Sequence, residues 1–353
     1  MKRIINILQG KASKMVLLAI TACTIASCDS ILDFEEGDCS VEYRVRFKYD
    51  YNMKKADAFA SEVKAVSIYA FDDEGRFVYQ RTEEGEKLKE DDYSMKVDID
   101  PSQYHLVVWA GLTDQQSFAV PLLVEGDEID NLTVKAERTI TGTRADGEKE
   151  SIIRRNLAPL FHGEIAKASM TRAGTTNIMT IPLVKNTNSL RIVLQQMNGV
   201  TMTKDDFDFS IYDDNGWMNY DNSLLKDDEL TYKPYNIKAG STTNTAKNRT
   251  ATDSENTNIT FVTVDLTVAR LMLDKNPTLR ITNNKTKEKV LQIPLIQYLL
   301  LSQPFEAEGM DKQEYLDRQD NYSMTFFLDP NLSWINSEII INGWTIHDNV
   351  TDL

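Results

Sequence analysis

Segment 41–49 alternates strictly between apolar and charged residues, and this pattern constrains the fold more than any other feature. Successive side chains of a β-strand point to opposite faces, so the pattern predicts a strand with one buried and one solvated face. Such a strand is stable only in a sheet whose apolar face packs against another layer. We predict that the apolar positions face a core: Val41, Tyr43, Val45, Phe47 and Tyr49.

Short apolar segments separated by turn residues continue through most of the chain. They predict strands at 65–71, 77–79, 94–99, 104–110, 132–136, 178–183, 190–194, 207–212, 217–220, 259–273, 278–282, 289–293, 323–328 and 338–346. Helix is a minor component, predicted at 56–63, 294–301 and 311–318. A chain of 353 residues is too long for one small core. We therefore predict a mainly β protein with two tandem β-sandwich domains, at 41–156 and 157–353.

Two acidic turns have similar surroundings. The turn at 72–75 (Asp-Asp-Glu-Gly) separates two strand segments, and a Gly in a short acidic turn between apolar segments favours a hairpin. The turn at 213–216 (Asp-Asp-Asn-Gly) predicts a second hairpin, formed by 207–212 and 217–220. The two turns lie about one domain length apart, which is consistent with tandem domains of similar structure. The polar segment 238–258 predicts either a long exposed loop or the extension of an edge hairpin.

The N-terminal segment has the order of features found in export signals. Basic residues come first, an apolar stretch follows from Met15 to about Ser27, and Ile-Ala-Ser-Cys at 25–28 closes it. The apolar stretch of about 13 residues is shorter than the roughly 20 needed to span a bilayer. The final Cys makes the segment resemble a bacterial lipoprotein signal, which implies a signal peptide at 1–27 and diacylglycerol on the thiol of Cys28. An ordinary secretory signal that is cleaved near a cysteine is the alternative.

Removal of segment 1–27 leaves a strongly acidic chain. The segment contains four basic residues and no acidic one, so the formal net charge changes from −15 to −19. An acidic surface disfavours binding to nucleic acid and to anionic lipid headgroups, so attachment to a membrane would depend on the acyl chains. Segment 28–40 is rich in Asp and Glu, which predicts a solvated tether between the lipid and the first strand.

The sequence contains no arrangement of residues that indicates catalysis or a bound cofactor or metal. His105, His162 and His347 do not have the spacing of metal ligands, and we predict that they are polar residues in or beside strands. Cys39 has no partner cysteine in the mature chain, which predicts a partly buried apolar residue or, alternatively, an intermolecular disulfide. The acidic turns lack the ligand spacing of a calcium loop. We expect a non-catalytic protein.

Several segments, in order along the chain, resemble parts of a known family. They are 39–53 with 56–59, the turn 71–75, Leu-Phe-His-Gly at 160–163, Glu-Tyr-Leu-Asp at 314–317 and Ile-Asn-Gly-Trp at 341–344. These segments come in order and span nearly the whole mature chain. Each is modestly specific alone, and together with the lipoprotein signal they are fairly specific. On these residues the chain resembles the FimB-type fimbrial anchor lipoproteins of type V pili.

The resemblance implies that both sandwich domains are transthyretin-like and that the protein is an accessory anchor in the outer membrane, lipid-anchored and exposed at the cell surface. It implies fimbrillin stalk subunits as partners, and a function in holding the base of the fibre, aiding its assembly and limiting its length. In the related stalk subunits an Arg-specific protease removes the first strand, and a neighbouring subunit donates a strand to the groove. Strand addition of this kind satisfies exposed apolar surface and unpaired backbone groups.

Segment 41–49 is therefore the candidate assembly strand of this chain. A cut after Arg44, Arg46 or Arg138 would release the body of the protein from a lipid on Cys28. We predict that the chain is not processed at these positions.

A surface glycan-binding lipoprotein of a polysaccharide-uptake system is the alternative function. Trp217 and Trp334 are candidates for stacking on sugar rings, although aromatic residues in strands more often fill a core or an interface. Glycan binding that is lost on Trp217→Ala would favour this alternative. Co-purification of fimbrillins without glycan binding would favour the anchor.

Overall fold

Strand β1 (Glu42–Lys48) forms where the alternating pattern predicts it. The computed structural model describes residues 41–112, 117–143, 149–167, 171–173, 176–245 and 256–347. The predicted signal peptide 1–27, Cys28 and the predicted tether 28–40 therefore lie outside the described residues.

Thirteen described strands precede residue 186. They are β1 (Glu42–Lys48), β2 (Ala65–Phe71), β3 (Phe77–Glu84), β4 (Met95–Val97), β5 (His105–Ala110), β6 (Phe118–Ala119), β7 (Val134–Ala136), β8 (Thr139–Thr143), β9 (Lys149–Ile153), β10 (Phe161–Ile165), β11 (Thr171–Ala173), β12 (Thr176–Pro182) and β13 (Val184–Lys185).

Eleven described strands follow. They are β14 (Thr187–Gln196), β15 (Phe207–Asp213), β16 (Trp217–Met218), β17 (Leu230–Tyr232), β18 (Asn236–Thr245), β19 (Asn256–Ala269), β20 (Thr278–Asn283), β21 (Lys289–Pro294), β22 (Asn321–Leu328), β23 (Trp334–Ile341) and β24 (Trp344–His347). The α-helices are short: α1 (Phe59–Glu62), α2 (Leu295–Leu299), α3 (Gln303–Glu306) and α4 (Lys312–Arg318). Single 3₁₀ turns lie at Glu86–Lys89, Pro101–Gln103, Ile129–Asn131 and Leu300–Ser302. The prediction of a mainly β protein with few short helices is confirmed.

Two sheets enclose the first core. One has the strand order β11-β12-β1-β4 and the other has the order β13-β10-β5-β2-β3. Alternate side chains of both sheets point into the space between them, and Val45, Phe47, Ile68 and Val108 are at most 2% exposed. Because the strands alternate in this way, the charged residues of β1 remain on the outer face.

Two six-stranded sheets enclose the second core. Their orders are β18-β19-β14-β22-β23-β24 and β21-β20-β15-β17-β9-β8. A three-stranded sheet, β16-β7-β6, covers the outer face of the five-stranded sheet of the first sandwich, where Trp109 and Phe71 pack with Val134 and Met218. The five-stranded sheet is therefore buried on both faces, which explains why all seven residues of β2 are buried. The predicted sandwich architecture is confirmed.

The chain passes between the two sandwiches more than once. Strands β8 and β9 pair in a sheet of the second sandwich, whereas β10 to β13, which follow them, pair in the sheets of the first. The boundary that the sequence predicts between 156 and 157 lies between β9, a strand of the second sandwich, and β10, a strand of the first. The division of the chain into separately folding domains stays a prediction.

The first acidic turn forms the predicted hairpin. Strand β2 pairs with β3, the Gly75 N–H donates to the Asp72 carbonyl at 3.0 Å, and Gly75 has a φ of 75°. The carboxylate of Asp72 accepts hydrogen bonds from the N–H groups of Glu74 and Arg76, which closes the turn from inside.

The predicted second hairpin is wrong. Strand β15 pairs with β17 and β20, whereas β16 pairs with β7. Asn215 is fully buried, and its amide donates to the carbonyls of Ala269 and Arg270 while the Tyr232 hydroxyl donates to it at 2.6 Å. These long-range hydrogen bonds hold segment 213–216 where the chain crosses from the six-stranded sheet of β15 to the three-stranded sheet of β16. The resemblance between the turns 72–75 and 213–216 therefore gives no support for tandem domains of similar structure.

The described parts of the polar segment 238–258 belong to an edge hairpin, which is one of the two predicted alternatives, and residues 246–255 lie outside the described residues. Strands β18 and β19 pair over ten residues without a break in register, and β18 is the outer strand of its sheet.

Candidate functional site

The candidate assembly strand lies inside a sheet. Strand β1 pairs in parallel with β12 over seven residues, from Glu42 opposite Thr176 to Lys48 opposite Pro182. On its other side it pairs antiparallel with β4, with Tyr43 opposite Val97. Removal of β1 would therefore expose unpaired backbone groups on two neighbouring strands.

The five predicted side chains of this strand differ in burial. Val45, Phe47 and Tyr49 are buried, Tyr43 is half-buried, and Val41 is 47% exposed. The Phe47 ring stacks 5.7 Å from the Phe59 ring and 6.5 Å from the Tyr93 ring, and Tyr49 meets Phe161 edge-on at 5.0 Å. The C-terminal part of β1 thus anchors it in the core, whereas Val41 at its N-terminal end follows the predicted tether in the sequence.

The turn after β1 fixes its C-terminal end. The Tyr49 N–H donates to the carboxylate of Asp57 at 3.0 Å, and the Ala58 N–H donates to the Tyr49 carbonyl at 2.9 Å. The side-chain amide of Asn52, which is buried, donates to the carbonyls of Tyr49 and Ala56. This closed network makes the segment between β1 and α1 a rigid support.

The three arginines at which a cut would release the body from a lipid on Cys28 are held in structure. Arg44 donates to the hydroxyl of Ser94 at 2.8 Å and to its carbonyl at 2.7 Å. Arg44 is paired with both β12 and β4, and Arg46 is paired with β12. The Arg138 side chain is 9% exposed and pairs with Asp227 at 2.7 Å.

A cluster of ion pairs joins the C-terminal end of β1 to the second sandwich. Lys185 in β13 pairs with Glu62 of helix α1 at 2.7 Å and with Asp320, which precedes β22. Burial lowers the pKa of Lys185, but the carboxylates of Asp320 and Glu62 more than offset this effect, so its pKa is raised above the ordinary value. The ammonium group therefore remains charged at the junction.

Arg318 makes a second link at the same end. Its guanidinium lies 3.9 Å from the centre of the Tyr51 ring and pairs with Glu314 at 2.6 Å. Arg270 and Asp317 form a buried bidentate pair nearby, at 2.8 and 2.9 Å. Neither the Lys185 cluster nor the Arg318 contact was found by sequence reasoning, because the partners are far apart in the chain and no local pattern marks them.

The three histidines are strand residues, as predicted. His105 begins β5 and contacts Glu164 at 2.7 Å, and His347 ends β24. His162 is buried in β10, where its Nε2 donates to the Tyr220 carbonyl at 2.7 Å. Burial lowers the pKa of His162 to about 4, so the ring is neutral at pH 7.

Asp213 is a buried carboxyl group at the end of β15. Its Oδ1 accepts a hydrogen bond from the Asp214 N–H at 2.9 Å, whereas Oδ2 has no hydrogen-bond partner within the described part of the chain. Burial raises the pKa of Asp213 to about 7. The group is thus partly protonated near neutral pH.

The two tryptophans that were candidates for sugar stacking are half-buried. The ammonium of Lys135 lies 4.3 Å from the centre of the Trp217 ring, and the Trp334 ring packs 5.6 Å from Phe326. A different aromatic pair is open to solvent: Phe305 and Trp344, 54% and 43% exposed, stack 5.0 Å apart.

Within the described residues no helix is long and apolar enough to cross a bilayer.

A family model described as "Fimbrillin-A associated anchor proteins Mfa1 and Mfa2" matches residues 35–350. Comparison with curated protein sequences gives no match.

Solved structures show the same fold over most of the chain. A proposed adhesin from Bacteroides thetaiotaomicron is 34% identical, with a TM-score of 0.71, over 87% of this chain and 97% of that one. A proposed polysaccharide-binding protein from the same organism is 32% identical, with a TM-score of 0.70, over 88% and 99%. The fimbrial anchor protein Mfa2 from Porphyromonas gingivalis is 16% identical, with a TM-score of 0.56, over 87% and 98%, and this likeness concerns the fold alone.

Proposed function

The chain belongs to the family of fimbrillin-A associated anchor proteins, and we propose that it is a lipid-anchored subunit that holds the base of a fimbria to the outer membrane. Membership of the family supports a role as a fimbrial anchor or adhesin in the cell envelope. The lipid on Cys28, the contact with a fimbrillin stalk subunit by strand addition, and the control of fibre length are the further parts of the proposal.

The position of strand β1 carries the proposal. Its C-terminal end faces the second sandwich, where Tyr51 contacts Arg318 and Lys185 contacts Asp320. Its N-terminal end at Val41 is roughly 20 Å away along the strand, at about 3.3 Å per residue. A tether that starts at a lipidated Cys28 would therefore reach the body at the end away from the second sandwich and would leave that sandwich free to face a fibre.

The structure of β1 supports retention of the tether. A protease needs a segment that can leave its sheet. Strand β1 pairs with β12 along its length and with β4 at Tyr43–Val45, and it buries two side chains, Val45 and Phe47. An uncut β1 keeps the body joined to Cys28. Several acyl chains on one cysteine would make the attachment durable, since each buried methylene contributes about 0.8 kcal/mol.

Substitution of the lipidated cysteine tests the anchoring role. We expect Cys28→Ala to release the protein from the membrane fraction and to leave fibres shed or poorly held, whereas the matched variant Cys39→Ala keeps both in place. Fractionation of cells and electron microscopy of fibre number and length measure the effect. Fibres of normal attachment and length on Cys28→Ala cells would rule out the anchoring role.

Glycan binding is the second candidate function, and one observation favours it: a relative 32% identical to this chain is described as a proposed polysaccharide-binding protein. The exposed pair Phe305 and Trp344 offers a better stacking surface than Trp217 or Trp334, whose rings are in contact with neighbouring side chains. A glycan array with the wild type, Trp344→Ala and Trp217→Ala distinguishes the candidates. Absence of binding together with co-purifying fimbrillins would eliminate the glycan function.

A further inference from the structure

We propose that the parallel pair β1–β12 is a mechanical clamp that carries the tension between the membrane tether and the second sandwich. This inference rests on the proposed function, because only a chain that is held at its N-terminus and pulled elsewhere is under tension. Strand β1 then serves as a strand that resists extraction rather than one that is exchanged.

Tension enters and leaves the pair at opposite ends. A pull through the tether reaches β1 at Val41, next to its first paired residue. A pull on the second sandwich reaches β12 at Pro182, because segment 183–186 joins β12 to β14, which is an internal strand of a six-stranded sheet. This segment includes the two-residue strand β13, whose pairing with β10 carries part of the same load. The Leu183 N–H also donates to the Lys48 carbonyl at 2.8 Å, which continues the pairing beyond the strand.

The parallel orientation decides how the hydrogen bonds are loaded. In a parallel pair the N-terminus of one strand and the C-terminus of its neighbour lie at opposite ends, so these forces slide the strands past each other and strain all seven paired positions together. In an antiparallel pair the same two termini would lie at one end, and the bonds would break one after another. Simultaneous loading gives the higher barrier to forced separation, which is a kinetic property of the unfolding step.

Side-chain packing adds to the resistance. A slip of one residue would turn Arg46 and Lys48 into the core, so the strand must move by two residues, roughly 6.6 Å, before an allowed register returns. Such a movement requires Phe47 to leave its place beside Phe59 and requires Tyr51 to leave Arg318. The network of Asn52 and Asp57 holds the other end of β1 against this movement.

Single-molecule force spectroscopy on the mature chain, with Cys28→Ser and Cys39→Ser, tests the clamp. One handle is placed at the N-terminus and the second at position 197 or position 176, through an azide-bearing residue. Met197 follows β14 and is 47% exposed, which makes it suitable for a handle. A pull at this position reaches β12 at its C-terminal end through β14, so it loads the β1–β12 pair in shear. Thr176 is the first residue of β12 and pairs with Glu42, so this handle peels the same bonds from one end.

We expect a first rupture force that is severalfold higher with the handle at 197 than with the handle at 176. Equal forces, or a lower force at 197, would overturn the clamp. Neither result depends on fibres or lipid, so failure of the clamp and failure of the anchoring role are separate outcomes.

A disulfide staple identifies the barrier in the shear geometry. Arg46 and Thr180 are exposed and lie opposite each other, at a strand spacing that a disulfide can bridge. Arg46→Cys with Thr180→Cys should remove the first rupture event, and a reductant should restore it. Lys238→Cys with Thr263→Cys, which staples β18 to β19 in the second sandwich, is the matched control and should leave the event unchanged. A first event that persists in the oxidised Arg46–Thr180 staple would show that β1–β12 is not the barrier.

Discussion

Replacement of Lys185 by Met should weaken the junction between the two sandwiches. The ammonium group is the common partner of Glu62 and Asp320, and the three side chains are 12%, 33% and 19% exposed. Removal of one member of a buried ion pair typically costs about 3–5 kcal/mol, because the remaining charge stays desolvated without a partner. Glu62 can regain water, so most of the loss comes from Asp320. We therefore expect the lower end, about 3 kcal/mol.

Urea denaturation followed by tryptophan fluorescence measures this loss. Arg191→Met is the matched control: Arg191 pairs with Asp265 at 2.8 Å, but its side chain is 60% exposed, and such pairs contribute about 1 kcal/mol or less. A double-mutant cycle with Asp320→Asn isolates the pairwise energy. If Lys185→Met costs no more than Arg191→Met, the cluster does not stabilise the junction and the reasoning from burial is refuted.

Two further predictions concern a core aromatic and a buried acid. Phe47→Ala should lower the free energy of unfolding by about 3–5 kcal/mol, because the ring is 2% exposed and stacked on two others. Arg46→Ala on the exposed face should change this free energy by no more than about 0.5 kcal/mol. Equal losses in urea denaturation would place Phe47 outside the core. Asp213 should destabilise the fold as pH rises from about 4 towards 7, because burial raises its pKa from 3.8 to about 7. In this range the folded state binds more protons than the unfolded state. The resulting loss in the free energy of unfolding is on the order of 4 kcal/mol. Asp213→Asn should therefore be more stable than the wild type at pH 8 and nearly equal at pH 4, and an equal difference at both pH values would contradict the raised pKa. Comparison of the two proteins at each pH cancels the opposite effect of His162, whose pKa of about 4 makes the fold gain stability as pH rises towards 6.5.

Local patterns predicted the features that depend on a few neighbouring residues. The alternation in 41–49 predicted β1 and its buried face, because every second residue is apolar in a strand that is buried on one side. The turn at 72–75 marked a hairpin, because Gly75 supplies the positive φ and Asp72 supplies the acceptor within the turn itself. The polar segment after Lys238 predicted an edge hairpin as one of two alternatives, because a strand on the edge of a sheet can tolerate polar residues on its open side.

Features that depend on distant residues were not predictable in this way. The turn at 213–216 has the composition of a hairpin, but Asn215 is bound to the carbonyls of Ala269 and Arg270, and these contacts decide the direction of the chain. The exchange of strands between the two sandwiches was missed for the same reason. Pairing partners such as Glu42 and Thr176 lie far apart in the chain, and the residues around one do not identify the other. A second short alternating segment at 178–183 was the available signal for a partner of β1, and it did not give the parallel orientation.

The internal position of β1 restricts how a fimbrillin can bind to this chain. Exchange of β1 would move the tether with it, and the peptide chain after β1 would then be the one link from the tether to the body, without the support of the native sheet. It would also expose the positions of Val45, Phe47 and Tyr49 and two unpaired neighbours, β12 and β4, until a new strand arrived. An anchor of the proposed kind, under tension, would gain nothing from such an exchange, because the strand that leaves would be the strand that is pulled. We therefore expect a fimbrillin that adds a strand to this protein to use an outer strand of one of its sheets and to leave β1 in place.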